Sequence, residues 1–310
     1  MAKLSWCCCT AVLAAWVMIG CSGGDDDTIP PLDNLDDPTD TDVVFSKWQS
    51  LAEAPANELD FEQAMQYATA LAEAHELDRF LQVLGDSEAS PKAKVLAVVS
   101  LSPFLSHEMV ERVVALTQPA HDTTTRASAT KLLGTMLLPQ MKPPAVEGMI
   151  TPPTEEDLAQ VRTRLRELAA DDEHKVRFTA ATLLARTMDE GALDQLLTLW
   201  NDEATDANER MELVYSLPPE SGGTFTEIFK QAAKDPALDP EVRQRAVMEL
   251  GFTNDPAILD LLVEVSESDP DPSVRAQAKV TVEGMRAHIR NAEPDSAETP
   301  EQPAPATGEG

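Results

Sequence analysis

Cysteine is almost absent from this chain of 310 residues, and its four cysteines all lie within the first 21 positions. They are Cys7, Cys8, Cys9 and Cys21. A chain cleaved before Cys21 would keep a single thiol and could form no intramolecular disulfide. The same scarcity excludes a cysteine-based zinc site and a cysteine nucleophile from the rest of the chain, so its stability must come from packing.

Positive charge is also scarce. The sequence has 24 Lys and Arg residues against 54 Asp and Glu residues, which gives a formal net charge of −30. Such a chain repels phosphate groups, and this excludes nucleic acid and an anionic lipid surface as partners. Hydrophobic residues make up 43% of the sequence, which is enough for a sizeable core.

The residue patterns of common catalytic and metal sites are missing as well. No two of the five histidines are three or four residues apart, the spacing that would place them on one helix face. They are His75, His107, His121, His174 and His288. The pair Gly222-Gly223 has no lysine close behind it, and no serine stands in a G-x-S-x-G elbow. We therefore expect no metal, no cofactor and no enzymatic activity.

The first 20 residues have the layout of a secretory signal. Lys3 precedes the apolar run CCCTAVLAAWVMIG, which is short for a membrane span. The segment Met18-Ile19-Gly20-Cys21 resembles the lipobox of bacterial lipoproteins, although Leu is commoner there than Met18. The resemblance implies a signal peptide over residues 1–20 and a lipid on Cys21. Ordinary secretory cleavage and an uncleaved anchor are the alternatives.

Two acidic segments flank the middle of the chain. Residues 21–43 carry eight acids and three prolines, residues 291–310 carry five acids and four prolines, and neither segment's acidic stretch includes a basic residue. This composition favours a disordered tether and a disordered tail. Asp25–Asp27 resembles the acidic signal that sends some lipoproteins to the outer cell surface, with a plain solvated tether as the alternative. Ser22 resembles the default that permits transfer to an outer membrane.

A basic residue recurs through the middle of the chain at nearly constant spacing. It stands at Lys94, Arg126, Arg177, Arg210, Arg243 and Arg275, so the intervals are 32, 51, 33, 33 and 32 residues. A proline-rich insertion at residues 139–157 explains the long interval. Apolar or small residues follow each basic residue after three, four and seven positions, and an earlier apolar stretch precedes it. This pattern predicts two helices in each repeat.

These repeats resemble HEAT repeats, particularly the short bacterial kind. The pattern D-x-x-x-x-V-R-x-x-A-x-x-x-L-G carries the resemblance, which covers residues 75–290 and is strongest over 171–284. It implies an all-α fold, an α-solenoid of about six helix pairs within residues 44–290. It also implies a structural ladder in which arginines pair with nearby aspartates. The arginines are Arg177, Arg210, Arg243 and Arg275, and the aspartates are Asp172, Asp206, Asp239 and Asp271.

Two columns of side chains on the second helices point away from the expected core. They lie one and five residues after each basic residue, and in the middle of the array they contain Phe178, Met211, Tyr215 and Met248. We predict that these four residues form an exposed groove for a protein or peptide partner, because such side chains are enriched at binding surfaces. The alternative is that they pack against adjacent helices.

These observations predict a lipid-anchored, non-catalytic protein-interaction scaffold of the bacterial cell envelope. It would face the periplasm or the outside, and it would sit on the outer membrane in a Gram-negative cell. One alternative is an enzyme or enzyme accessory, because short bacterial HEAT-like units also occur in bilin lyases. Another alternative is a purely architectural spacer.

Overall fold

The structure is a computed structural model, and it describes residues 40–54, 61–138, 150–189, 191–219, 221–253 and 255–292. All regular secondary structure in these residues is helical, which confirms the predicted all-α fold of helix pairs. Five predicted features lie wholly or mostly outside the described residues. They are the signal peptide 1–20, the lipidated Cys21, the tether 21–43, the insertion 139–157 and the tail 291–310.

The described residues contain fourteen α-helices. They are α1 (Thr41–Glu53), α2 (Phe61–Glu73), α3 (Asp78–Gly85), α4 (Pro91–Leu101), α5 (His107–Leu116), α6 (Thr123–Leu137), α7 (Glu155–Leu168), α8 (His174–Arg186), α9 (Ala192–Trp200), α10 (Ala207–Ser216), α11 (Thr226–Lys234), α12 (Pro240–Phe252), α13 (Leu259–Ser268) and α14 (Pro272–Ala292). Helices α3 to α14 correspond to the six predicted pairs, and α1 and α2 precede them. None of the described helices is both long enough and apolar enough to span a bilayer.

Polar residues at the helix starts explain where the helices begin. The Asp122 carboxylate accepts hydrogen bonds from the backbone amides of Thr124 and Thr125 and so caps α6. At α7 both bonds of the predicted capping box are present, because Thr154 and Asp157 each accept from the other's backbone amide. Each cap satisfies amides that the first helical turn would otherwise leave without an acceptor.

The chain divides into two compact units. The first unit ends at Thr205 and contains α1 to α9, with the second helices of successive pairs packed in order, α4 on α6 and α6 on α8. The second unit begins at Asp206 and contains α10 to α14, with α12 packed against α10, α11 and α14. A single helix pair cannot bury its own apolar face, so this stacking supplies the core of each unit.

Small residues let neighbouring second helices approach closely. In the first unit, a Cβ atom added to Gly134 of α6 would lie 2.4–2.7 Å from side-chain carbons of Leu183 in α8. In the second unit, a Cβ atom on Gly251 of α12 would lie 2.5 Å from Cγ2 of Thr281 in α14. Glycine at these positions therefore sets the distance between adjacent repeats.

Two helices end on residues in the left-handed backbone region. His75 follows α2 with φ 59°, and Met188 follows α8 with φ 56°. At Met188 the amide donates to Ala185 O, and the next amide, of Asp189, donates to Leu184 O. This is the hydrogen-bond pattern of a Schellman helix end, where glycine is the usual residue.

Candidate functional site

In the first unit, the recurring basic residue of one helix pair meets an aspartate of the next pair. Lys94 Nζ lies 3.0 Å from Asp122 Oδ2, and Arg177 Nη2 lies 3.3 Å from Asp202 Oδ2. Arg126 forms the corresponding ion pair across the insertion with Asp171. We call this series, with its counterparts in the second unit, the ion-pair ladder.

The Lys94 position is nearly closed to solvent. Lys94 is 1% exposed, and its ammonium group also donates to Thr125 Oγ1 at 2.6 Å. Burial by itself raises the pKa of the Asp122 carboxyl, but the hydrogen bonds from Thr125 and Lys94 outweigh it and lower that pKa below its usual range. The carboxylate therefore stays charged and keeps the buried ammonium paired.

The second unit continues the same arrangement. Arg210 Nη1 lies 3.6 Å from Asp235 Oδ2, and Arg243 makes a bidentate contact with Asp269 in which both N–O distances are 2.9 Å. The hydrogen bonds to Asp269 raise the pKa of the Arg243 guanidinium. Arg275 donates to the backbone oxygens of Asp269 and Pro270, and no described carboxylate pairs with it.

The predicted partners of these arginines are wrong. The acids that pair with Arg177, Arg210 and Arg243 come from the following helix pair. The predicted partners, Asp172, Asp206, Asp239 and Asp271, come from the turn just before each arginine. Asp206 instead caps α10 by accepting from the Glu209 amide, and Asp271 accepts from the Ser273 amide. Each paired arginine instead reaches across to the next helix pair, where acids such as Asp202 and Asp269 also accept backbone amides of their own turns.

A second feature of the second unit is a set of exposed apolar side chains on its second helices. Tyr215 of α10 and Met248 of α12 are each 44% exposed, and Val280 of α14 is 64% exposed. They share one repeat position, five residues after the basic residue, and Phe252 lies one turn beyond Met248 at 50% exposure. We call Tyr215, Met248, Phe252 and Val280 the apolar row.

The first unit has no such surface at the equivalent position among its described residues. There the position is occupied by Val99 and Lys131, which are half-buried, and by Thr182, which is buried. Phe178 was predicted to be exposed, but it is only 6% exposed and its ring lies 6.1 Å from that of His174. Its predicted availability to a partner is therefore wrong, because the side chain is buried.

The remaining predicted residues lie in the second unit. Met211 is half-buried and stands one turn before Tyr215 in α10. Val280 belonged to the predicted column but was not singled out, and Phe252 was missed altogether. The signal for Phe252 is its position four residues after Met248, which places both side chains on one face of α12.

Arginine fixes the tyrosine of the apolar row. The Arg245 guanidinium carbon lies 5.4 Å from the centre of the Tyr215 ring, and Arg245 Nη2 donates to Leu217 O at 2.7 Å. Burial, with a further contribution from Glu241, raises the pKa of the Tyr215 phenol. Tyr215 is therefore a neutral aromatic side chain whose ring position is held by a cation–π contact.

Within the described residues, no three or more His, Cys, Asp or Glu side chains are grouped so that they could hold a metal ion. Two described histidines lie near a carboxylate, His174 at 3.7 Å from Asp202 and His107 much closer to Asp157. His107 Nδ1 lies 2.7 Å from Asp157 Oδ2, at the point where the starts of α5 and α7 meet. Asp157 already serves the capping box of α7, so this contact joins two helix starts of the first unit.

Comparison with known protein families supports the repeat assignment. Residues 226–285, which span α11 to α14, match the family of HEAT repeats. The chain therefore contains HEAT-like repeats, as the sequence predicted. No curated protein matches it.

Among solved structures, the chain is similar to that of human deoxyhypusine hydroxylase in complex with glycerol. The alignment covers 80% of this chain and 97% of that one, with 18% sequence identity and a TM-score of 0.33. So low a TM-score assigns no activity to this chain.

The predictions of a non-catalytic scaffold and of no enzymatic activity are corrected to this extent: the similar structure is that of an enzyme, so a repeat fold by itself does not exclude catalysis. The inference that fails is that a repeat fold without familiar catalytic motifs must be non-catalytic.

Proposed function

We propose that this chain is an accessory protein of an envelope enzyme and binds a protein partner through the apolar row. The single observation that carries the proposal is the exposure of four large apolar side chains, 44–64% each, in the unit that matches the HEAT repeats. HEAT repeats commonly mediate protein interactions through surfaces that extend along the stack.

The energetics of the apolar row suit a binding surface. Complete burial of one large apolar side chain contributes about 1.5–3 kcal/mol, so a partner that covers part of four such side chains gains a useful fraction of this. Tyr215 is already held by Arg245, so it would lose little conformational freedom on binding. A rigid aromatic residue beside adaptable methionine is the usual composition of an interaction hot spot.

The proposal includes the lipid on Cys21. A coil of the roughly 20 residues between Cys21 and α1 would span about 25 Å, which would keep the helix pairs near a membrane but free of its surface. The partner would then be an enzyme of the same compartment, or that enzyme's protein substrate. A purely architectural spacer would leave the apolar row uncovered.

The test is co-purification of the full chain from solubilised membranes of its own cells. We expect Tyr215→Ala/Met248→Ala to reduce recovery of the partner at least about tenfold, with unchanged thermal unfolding of the chain. The matched control is Met188→Ala, which truncates an equally exposed methionine (43%) in the first unit and should leave recovery unchanged. Equal loss with both variants, or loss with neither, would contradict the proposal.

Two further measurements address the enzyme and the anchor. The specific activity of the co-purified enzyme is compared before and after removal of this chain, and no change in activity would contradict an accessory role. Cys21→Ala is expected to move the chain from the membrane fraction to the soluble fraction. Retention of this variant in the membrane fraction would contradict lipid anchoring without affecting the role of the apolar row.

A further inference from the structure

The last helix, α14, is basic in an otherwise strongly acidic chain. It carries Arg275, Lys279, Arg286 and Arg290 against a single acid, Glu283. At about 100° per residue, the four basic residues lie within a sector of about 60° on one side of the helix. We call these four residues the basic stripe, and it lies beside the core-facing residues of α14 such as Val282 and Met285, which are buried.

None of the four basic residues forms an ion pair with a carboxylate of the described residues. Most other arginines in that part of the chain do so, including the buried Arg126 and Arg243. Lys279, Arg286 and Arg290 are exposed, and Arg275 is half-buried. The basic stripe is therefore a local excess of positive charge, four basic side chains against Glu283 on the same helix, in a chain whose net charge is −30.

Arg275 shows what kind of ligand the stripe accepts. Its Nη1 donates to Asp269 O at 2.6 Å and Pro270 O at 3.1 Å, just as Arg177 Nη1 donates to Asp171 O and Asp172 O. Arg177 has a further contact, with the carboxylate of Asp202 from the next helix pair. Arg275 is thus held in the orientation of a ladder residue, and the group missing from it is a carboxylate.

A surface cavity lies at the other end of the basic stripe. It has a volume of about 520 Å³ and is lined by Leu259, Glu283, Arg286, Ile289 and Arg290. Leu259 and Ile289 give it apolar walls, while Arg286 and Arg290 stand at its polar side with one acid, Glu283. Such a cavity fits a small apolar residue flanked by carboxylates.

The segment that follows α14 has the matching chemistry. Residues 293–310 contain five acids, four prolines and no basic residue. Asp295, Glu298 and Glu301 are spaced by three residues, with Pro294 and Pro300 among them. At about 3.1 Å per residue, Glu293 to Glu301 would span about 25 Å, against about 23 Å between Arg290 and Arg275 in an α-helix.

We propose that the basic stripe of α14 binds this chain's own acidic segment, residues 293–310, which folds back along the helix. Pro294 enters the cavity at Leu259 and Ile289, and the spaced carboxylates follow the stripe towards Arg275. The direct covalent link to α14 gives the segment an effective concentration in the millimolar range, so a few weak ion pairs suffice. This inference does not depend on the apolar row or on the proposed function.

The experiment is zero-length carbodiimide cross-linking of the full chain carrying Cys21→Ser, at micromolar concentration and low salt, followed by peptide mapping. Lys279 is the only amine of the basic stripe, so we expect it to couple to Glu298 or Glu301 within one molecule. Salt at 0.5 M should reduce the yield at least about fivefold, because exposed charges are then screened within a few ångströms. Lys47, an exposed lysine of α1, is the matched internal control and should not couple to the segment.

A variant tests the stripe itself without removing the amine. Arg286→Gln/Arg290→Gln changes two exposed side chains, so it should fold normally and reduce coupling of Lys279 to the segment at least about threefold. Equal coupling of Lys47 and Lys279, or a yield that this variant does not change, would overturn the proposal. A cross-link found only in dimers would also overturn it, since a second copy would then be the occupant.

Discussion

The Arg243 guanidinium donates two parallel hydrogen bonds to the Asp269 carboxylate, from Nε to Oδ2 and from Nη2 to Oδ1, each 2.9 Å long. Both side chains are about 95% removed from solvent, with relative exposures of 4% and 5%. The pair joins α12 to the turn before α14, and so it links two successive helix pairs of the second unit. Its two members are therefore each other's main compensation for burial.

Removing one member of this pair should destabilise the second unit strongly. We expect Asp269→Asn to lower the free energy of unfolding by about 3–5 kcal/mol, because it leaves the Arg243 charge buried without a counter-charge. Urea unfolding followed by circular dichroism measures the change. The control is Glu264→Gln, which breaks the exposed Lys234–Glu264 pair of 2.6 Å and should cost less than about 1 kcal/mol. Similar losses of unfolding free energy in both variants would contradict the burial of the Arg243–Asp269 pair.

The approach of α6 and α8 should not tolerate a methyl group at Gly134. Gly134→Ala would place a Cβ atom within 2.7 Å of Leu183, and we expect a loss of about 1–3 kcal/mol as the two helices move apart. Gly284→Ala makes the same change in α14, where no atom lies within 4 Å of the new Cβ atom, and it should stabilise by about 0.5–1 kcal/mol. Calorimetry of both variants would show melting temperatures that shift in opposite directions. A neutral effect of Gly134→Ala would show that the helices do not pack so closely.

The His107–Asp157 contact should make stability depend on pH. The hydrogen bond to Asp157 raises the pKa of His107 above its usual value of about 6.5, so the stabilisation is complete below that pH and is lost as the pH rises through the folded-state pKa. Hydrogen bonds from Thr154 and His107 lower the pKa of Asp157 to about 2, so its contribution is lost only as the pH falls from about 4 towards 2. The contact is therefore strongest between about pH 4 and 6.5.

NMR titration of the His107 ring and melting curves from pH 4.5 to 9 measure both effects. We expect His107→Gln to flatten the decline in melting temperature above pH 6.5, whereas His288→Gln, which changes an exposed histidine of α14, should leave the decline in place. If the melting temperature of His107→Gln still declines above pH 6.5, the decline belongs to another titrating group.

The same substitution at two equally exposed methionines should have opposite effects. Met188→Gly relieves a left-handed backbone at φ 56°, and we expect a gain of about 1 kcal/mol. Met248→Gly removes a side chain of 44% exposure from within α12, where glycine costs about 1 kcal/mol. Denaturant unfolding of the two variants gives the comparison. Destabilisation by Met188→Gly would mean that its side chain makes contacts that outweigh the backbone strain.

Helix positions were predictable because they depend on local spacing and on caps that the sequence displays directly. The interval between Arg126 and Arg177 revealed the insertion, and Thr154 with Asp157 marked the start of α7. The partners of the arginines were not predictable in this way. An aspartate four or five residues before an arginine and one 25 or 26 residues after it are equally plausible on the sequence, and the packing of successive helix pairs decides between them in three dimensions.

The binding surface was predictable only in part, for a related reason. Periodicity identifies which side chains leave the core of their own repeat, and it placed Tyr215 and Met248 correctly on the outer side. Whether a neighbouring helix then covers the position depends on the distance between repeats. Phe178 is buried, whereas Val280, on the last described helix, is exposed, and the pattern within a single repeat does not distinguish the two positions.

The offset of the ion-pair ladder has a consequence for how such a chain changes in length. Every ladder contact takes its cation from one helix pair and its anion from the next. A pair inside the ladder therefore supplies an anion to the pair before it and a cation to the pair after it. Duplication or loss of a whole helix pair keeps every ladder ion pair complete. A break within a pair instead leaves a buried charge without its counter-charge. The long interval between Arg126 and Asp171 obeys the same rule, because its extra residues fall between α6 and α7 in the chain and the ion pair is still made. Recombination in complete repeats is thus the route by which this array can grow or shrink without a penalty in buried charge.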